Sequence, residues 1–397
     1  MKILTFSSLF PHAARPNHGI FVETRLRHLI ASGKVESRVV APVPWFPFKH
    51  SRFGQYATHA QAPRTETRFG IKVIHPRYAL LPKIGMAMAP LTLYQASKNA
   101  IQRIMDDGYA FDLIDAHYFY PDGVAAVMLG KYFNKPVVIT ARGSDITYIP
   151  QFRLPRRMIQ WAVRHTSASI TVCEALRTAI IDVGAEPSRT VTLRNGVDLD
   201  FFRPMEREAL RKKFGLTGFT LLSVGNLVPL KGHHLAIEAL LQLPEAKLVI
   251  AGGGPERNNL EALARHLAVS NRVTFVGTLT QADLRDYYNA VDVLVLASSR
   301  EGWANVLLES MACGTPVVAS NVGGTPEVVA SSDAGRLMLE RTARGVAEAV
   351  GVLRAAYPAR EATREYAANF SWSDTTQGQL DLFTQVLRKR EQLENSL

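Results

Sequence analysis

Short apolar runs of strand length alternate with amphipathic stretches of helix length along the whole chain. In the first half the strand-like runs are KILTFSS, SRVVAPV, IKVIHP, FDLIDAH, KPVVITARGS, ASITVCE and TVTLRN, with helical periodicity between several of them, as in FVETRLRHLIAS and VAAVMLGKYF. The second half repeats the scheme with TLLSVGN, AKLVIAGGG, RVTFVGT, VDVLVLASS, TPVVASNVGG and GRLML. Alternation of strand and helix predicts parallel sheets with helices on both faces. The expected fold class is therefore α/β, with two Rossmann-like parallel-sheet domains facing a cleft. Turn residues in NGVDLDFFRP, residues 195–204, set the join, giving domains 1–197 and 198–372. A helical stretch at about 373–397 is expected to pack back on the first domain.

Length supports this division, because 397 residues exceed one ordinary core. No run of about 18 apolar residues exists to span a membrane, and the opening MKILTFSSLF turns polar too soon for a signal peptide, so a cytoplasmic location is expected. Cys173 and Cys313 sit in apolar sequence and read as core residues of a reducing compartment. Charge changes the picture more. The net charge is +11, and residues 1–200 hold 25 Lys and Arg against 14 Asp and Glu, whereas residues 201–397 hold 21 of each. The excess predicts an anionic partner for the first half.

Candidate chemistry concentrates in SSREGWANVLLESMACGTPVV, residues 298–318. A buried strand leads through a loop into a helix stopped at Gly314-Thr315-Pro316, and Gly302, Asn305 and Glu309 fall on one helical face among apolar neighbours. A carboxylate near a core is costly unless hydrogen bonded, and ligand hydroxyls would satisfy Glu309. The free amides of residues 302–305, at the carboxyl end of a strand, form an anion site. Phosphate at the helix start and hydroxyls a turn or two along describe a nucleotide sugar. VGNLVPLKGHH places Lys231 and Gly232 at another helix start, where a lysine meets phosphate as a point charge. RPNHGIFVE puts Gly19 at a third. AGGGPE, residues 251–256, reads as a packing turn, and neither domain's first strand is followed by G-x-G-x-x-G, which weighs against a dinucleotide cofactor. His117, Asp122, Arg142 and Asp145 end consecutive first-domain strands and face the expected cleft. Asp198 and Asp200 read as turn chemistry rather than a metal pair. No metal and no cofactor are expected.

The whole chain resembles the retaining glycosyltransferases of family four, with their GT-B architecture. The resemblance rests on E-x7-E, here Glu301 to Glu309, together with VGNLVPLKG, NGVD, PDG, GSD and a closing FSW at Phe370–Trp372. It implies that Glu309 accepts hydrogen bonds from the ribose diol and Glu301 contacts the transferred sugar. The amides of Gly302, Trp303, Ala304, Asn305 and Val306 would hold sugar and phosphate, while Lys231 and Gly19 meet the diphosphate. Gly277 lies near the expected base contacts. The chain departs from the family in two places. Asn226 stands where an arginine is usual, and Arg142-Gly143 stands where HG is usual; Arg142 either restores part of the missing charge or binds an anionic acceptor. The resemblance implies transfer with retention, with the leaving diphosphate assisting deprotonation of the acceptor. Catalysis then rests on positioning and charge stabilisation by Glu301, Lys231 and Arg142.

The expected partners are a UDP- or GDP-sugar donor and a lipid-linked or saccharide acceptor for cell-surface polysaccharide, bound near His117, Asp122, Arg142 and Asp145. An epimerase or hydrolase on the same fold is the alternative, and nucleic acid is not expected because the basic residues are scattered. Three segments mix apolar or aromatic with basic residues: VPWFPFKHSRFG from Val43, YALLPKIGMAMAPLTLY from Tyr78, and RLPRRMIQW with Arg153, Arg156 and Arg157. They predict that the first domain lies peripherally on the inner face of the cell membrane.

Overall fold

The computed structural model describes residues 1–80 and 85–395. The chain divides into two units, Met1–Arg194 completed by the helix beginning at Trp372, and Asn195–Ser371. In the first unit eight strands form one sheet: β1 (Lys2–Phe6), β2 (Glu36–Val40), β3 (Thr65–Arg68), β4 (Ile71–Ile74), β5 (Leu113–His117), β6 (Val137–Ala141), β7 (Ala168–Thr171) and β8 (Thr190–Thr192). Their order is β8-β7-β6-β5-β1-β2-β4-β3. Every neighbouring pair is parallel except β3 with β4. Strand β3 reads TETR, so an edge strand without apolar residues carries no hydrophobic signal. Helices α1 (Ile20–Ala31), α2 (Gln55–Gln61), α3 (Gly85–Asp106), α4 (Val124–Phe133) and α5 (Arg153–His165) connect the strands.

The second unit is a six-stranded sheet of β9 (Thr220–Val224), β10 (Lys247–Ala251), β11 (Val273–Gly277), β12 (Val293–Leu296), β13 (Val317–Ser320) and β14 (Gly335–Met338). The strands run in the order β11-β10-β9-β12-β13-β14, parallel throughout. Its connections include α6 (His233–Ala239) and α7 (Asn305–Ala312). The last helix, α8 (Trp372–Asn395), returns to the first unit. There Leu380, Leu382, Phe383 and Val386 join Val22, Leu26, Leu29, Leu113 and Ile170 in one core. Each such side chain stabilises by about 1.5–3 kcal/mol when fully buried.

Strand order decides where chemistry is placed. In the second sheet the winding reverses between β9 and β12, and in the first between β1 and β5. Loops leaving the carboxyl ends of strands on either side of such a reversal diverge and leave a crevice, the usual ligand position in open α/β sheets. Lys231 and Glu301 follow β9 and β12. Gly19 follows β1, and Asp122 follows β5.

Candidate functional site

In the second unit α7 begins at Asn305, three residues later than the sequence pattern suggests, because Gly302, Trp303 and Ala304 form a loop that precedes it. Among the described residues none of the amides from Gly302 to Val306 donates to a protein acceptor, so the run of free donors extends from the loop into the first helical turn. Trp303 contributes its backbone only: its indole is buried, donates to the Asn195 carbonyl at 3.1 Å and packs on Phe370. Asn195 also donates to the Asn305 side chain at 3.2 Å, so the NGVD turn braces the helix start.

Glu309 sits one turn below. Its Oε2 accepts from the hydroxyl of Tyr288 at 2.9 Å, while Oε1 has no partner among the described residues. Burial pushes the carboxyl up to about 7, with the Tyr288 hydroxyl pulling the other way. Tyr288 is fully buried on the preceding helix, and no motif marked it. Across the reversal Lys231 and Glu301 form an ion pair of 2.5 Å. Gly232 fixes the lysine's approach: it has φ +69, and a Cβ there would lie 2.1 Å from the Ala297 carbonyl oxygen at the end of β12. Asn226 is exposed, and its carbonyl receives the Val228 amide, so it holds the loop's backbone. Gly277 closes β11 and accepts from the Gly252 amide at 2.7 Å. Gly252 itself abuts the Gly225 carbonyl, which makes AGGGPE a packing feature. Asp198 Oδ1 accepts from the amides of Asp200 and Phe201, an Asx turn. Among the described residues no group of three metal-ligating side chains occurs.

In the first unit Gly19 starts α1 at φ +67, where a Cβ would lie 2.2 Å from the Leu9 carbonyl oxygen. The four strand-end residues separate into different roles. Arg142 donates to His117 Nδ1 at 2.7 Å and lies over the ring of Phe21. A guanidinium only donates, so His117 carries its proton on Nε2, which faces Asp115 at 3.4 Å. Burial brings His117 down to about 4 and Arg142 down to about 9. Asp115 accepts from Gln379 of α8 at 3.2 Å, and Gln379 accepts from Arg25 at 2.9 Å. His117 is therefore occupied on both nitrogens and orients Arg142 instead of facing a ligand. Asp145 accepts from the amides of Phe119, Arg142 and Gly143, and shapes the loop that presents Arg142. Asp122 accepts from the Ser8 amide and hydroxyl, and burial pushes it up to about 7. Of the four, Arg142 alone is partly exposed, while His117, Asp122 and Asp145 are buried.

Two family models match. The Glycosyltransferase Family 4 model covers residues 57–201 and the Glycosyl transferases group 1 model covers residues 206–370. The D-inositol 3-phosphate glycosyltransferase 2 of Catenulispora acidiphila is 38% identical over 223 residues, 51% of this chain and 52% of that protein. The chain thus spans about half the length of the first curated relatives it matches. TuaC of Bacillus subtilis, named as a teichuronic acid biosynthesis glycosyltransferase, is 28% identical over 358 residues, 88% of each chain. Among solved structures, sucrose-phosphate synthase from Thermosynechococcus elongatus superposes with a TM-score of 0.79 at 19% identity, over 98% of this chain and 100% of that one. Anabaena HepE in complex with UDP superposes with a TM-score of 0.73 at 22% identity, over 97% of this chain and 100% of that one. Two matched domains in this order, on two parallel α/β sheets, make the chain a family 4-like protein of the GT-B glycosyltransferase fold.

Proposed function

We propose that the protein is a retaining glycosyltransferase that moves a sugar from a UDP- or GDP-sugar to a hydroxyl of a lipid-linked saccharide in cell-surface polysaccharide biosynthesis. One observation carries the donor reading: among the described residues Glu309 keeps an unpartnered carboxyl oxygen one turn below the free amides from Gly302 to Val306. Ribose hydroxyls satisfy that oxygen and phosphate satisfies the amides. The Lys231 ammonium, held beside Glu301, meets the charge that develops on the leaving diphosphate, and Glu301 orients the transferred sugar. A leaving-group oxygen takes the acceptor proton, so no protein nucleophile is needed. The complex of HepE with UDP supports this choice of donor class. The test is release of nucleoside diphosphate from a panel of sugar nucleotides; failure of every UDP- and GDP-sugar to bind or turn over defeats the proposal.

Turnover is expected to persist in excess EDTA. The diphosphate charge is met by Lys231 and backbone donors, and Asp198 is committed to its turn. Loss of turnover in EDTA, restored by Mg²⁺ or Mn²⁺, overturns this expectation.

The acceptor is lipid-linked because the first unit suits an anionic membrane surface. Trp45 is 60% and Phe48 54% exposed, beside exposed Lys49 and Arg52, in a cluster where Phe46 packs on Phe48, Phe53 and Tyr56. Met86, Met88 and Leu91 of α3 are also exposed; Leu81 to Ile84 of that second segment lie outside the described residues. On α5, Pro155, Ile159 and Val163 pack inward while Arg153, Arg156 and Arg157 are exposed. Among the described residues no helix is long and apolar enough to cross a membrane. Each basic residue near an anionic surface gains about 1 kcal/mol. Reversing all three arginines to glutamate is therefore expected to lower pelleting with anionic vesicles at least tenfold, with nucleotide affinity retained. Equal recovery in the supernatant with anionic and neutral vesicles rejects the membrane role.

A further inference from the structure

We propose that the first unit carries an anion pocket formed by His12, Arg15, His18 and His59, which takes a phosphate, sulfate or carboxylate group borne by the acceptor. The word acceptor rests on the transferase reading above; the pocket does not. Past β1 the chain makes a tight turn in which His12 and Arg15 exchange backbone hydrogen bonds, and the His18 amide donates to the Arg15 carbonyl. Helix α2 brings His59, and His75 just beyond β4 stands edge-on to His12 with ring centroids 5.7 Å apart.

The members of this cluster differ in how they are satisfied. His75 faces the Ala41 carbonyl with Nδ1 and Glu66 with Nε2. Arg77 is spent on the carbonyls of His59 and Ala62. His18 Nε2 reaches the Ser8 carbonyl. By contrast, Nδ1 of His12 and Nδ1 of His59 are enclosed and have no hydrogen-bond partner among the described residues. The half-buried Arg15 guanidinium has no acceptor among the described residues. Burial pushes His12 down to about 3 and His18 down to about 4, with Arg15 and the neighbouring imidazoles pushing the same way.

The Arg15 guanidinium is the fixed charge of the cluster, and an anion there accepts from it and from the imidazole nitrogens that carry a proton. The two nearby carboxylates do not supply it, since Glu66 is held by His75 and Asp122 by Ser8. A metal ion is opposed by the fixed positive charge of Arg15. The placement fits an extended acceptor. Strand β4 lies three positions from β5 in the sheet, so the His75 end stands about 15 Å along the carboxyl edge from the His117 and Arg142 end. An acceptor presenting its hydroxyl beside Arg142 would set a charged group of a neighbouring residue or of its lipid carrier in this pocket.

The experiment is calorimetric titration of the full chain with sulfate, which stays doubly charged across the pH range used, and with glucose 6-phosphate. Both are run with UDP or GDP saturating the donor site. The expected result is binding that persists beside the nucleotide, is several-fold tighter for the sugar phosphate, and weakens at least tenfold in Arg15→Met. That variant replaces a half-exposed loop residue, and its melting temperature and nucleotide affinity are expected to be unchanged. Lowering the pH from 8 to 6 leaves sulfate binding nearly unchanged, because burial holds His12 at about 3 and His18 at about 4, and Arg15 carries the charge. Absence of sulfate binding, displacement by the nucleotide, or unchanged affinity in Arg15→Met overturns the pocket. Equal affinity for sulfate and sugar phosphate overturns its assignment to the acceptor. Lack of nucleotide binding with sulfate binding intact contradicts the donor reading alone.

Discussion

Replacing Glu309 by alanine abolishes tight donor binding, because it removes the charged acceptor of two hydroxyls; the expected cost is about 3 kcal/mol or more, roughly a hundredfold in affinity or greater. Calorimetry with nucleoside diphosphate on the folded variant is the check, and unchanged affinity ends the ribose assignment. Glu309→Gln separates this role from stability. Burial raises the carboxyl from 4.5 to about 7 in the folded chain. Between those values the folded state holds a proton that the unfolded state has lost, so stability falls as pH rises through that window, and above it the buried charge remains as a cost. The glutamine variant is therefore expected to melt about 2–4 °C higher at pH 8, the shift that about 1 kcal/mol produces in a domain of this size. It should also lose donor affinity. In the parent protein, donor affinity falls as pH drops below about 7, because the protonated carboxyl gives up one acceptor position.

Lys231→Ala is expected to lower kcat by about 10²–10³, the usual loss when one preorganised donor to a developing oxyanion is removed. Steady-state kinetics with the preferred sugar nucleotide measures it, and a loss of less than threefold means that the loop amides carry the diphosphate charge without the lysine. The partner variant behaves differently. In the free protein the lysine is paired with Glu301 at 2.5 Å, so Glu301→Ala releases that charge toward the diphosphate. Turnover falls because the sugar loses its anchor, while affinity for sugar-free nucleoside diphosphate is maintained or increased. Equal losses of turnover and diphosphate affinity in both variants would show that the two residues act only as a structural pair.

All thirteen strand-like runs form strands, because each is short, rich in apolar and β-branched residues and bounded by turn residues. Strand β3 escaped, since TETR on an edge buries nothing that a pattern could register. The loop before α7 also escaped: Gly302 to Ala304 continue the apolar spacing of the helix, and only backbone geometry separates them from it. In the candidate site, Glu301, Glu309 and Lys231 were legible because glutamates and a lysine beside glycines at strand ends are conspicuous. Tyr288 was not, as a tyrosine in an ordinary amphipathic helix declares no partner. The roles of His117 and Asp145 depended on which neighbours reach them across separations of 25 and 26 residues, and spacing along a chain carries no such information.

Helix α8 reaches the first unit only after the entire second unit has been made. Synthesis at about 5–20 residues per second puts about 10–40 s between Arg194 and Phe383 leaving the ribosome. During that interval the cavity later filled by Leu380, Phe383 and Val386 is open, and Gln379 is absent from between Arg25 and Asp115. The order of maturation is thereby inverted: the second unit can finish folding first, while the nascent first half waits with an exposed apolar groove. That groove is a natural client for a holdase chaperone, and expression of residues 1–194 alone is expected to yield aggregate unless the α8 segment is supplied in trans.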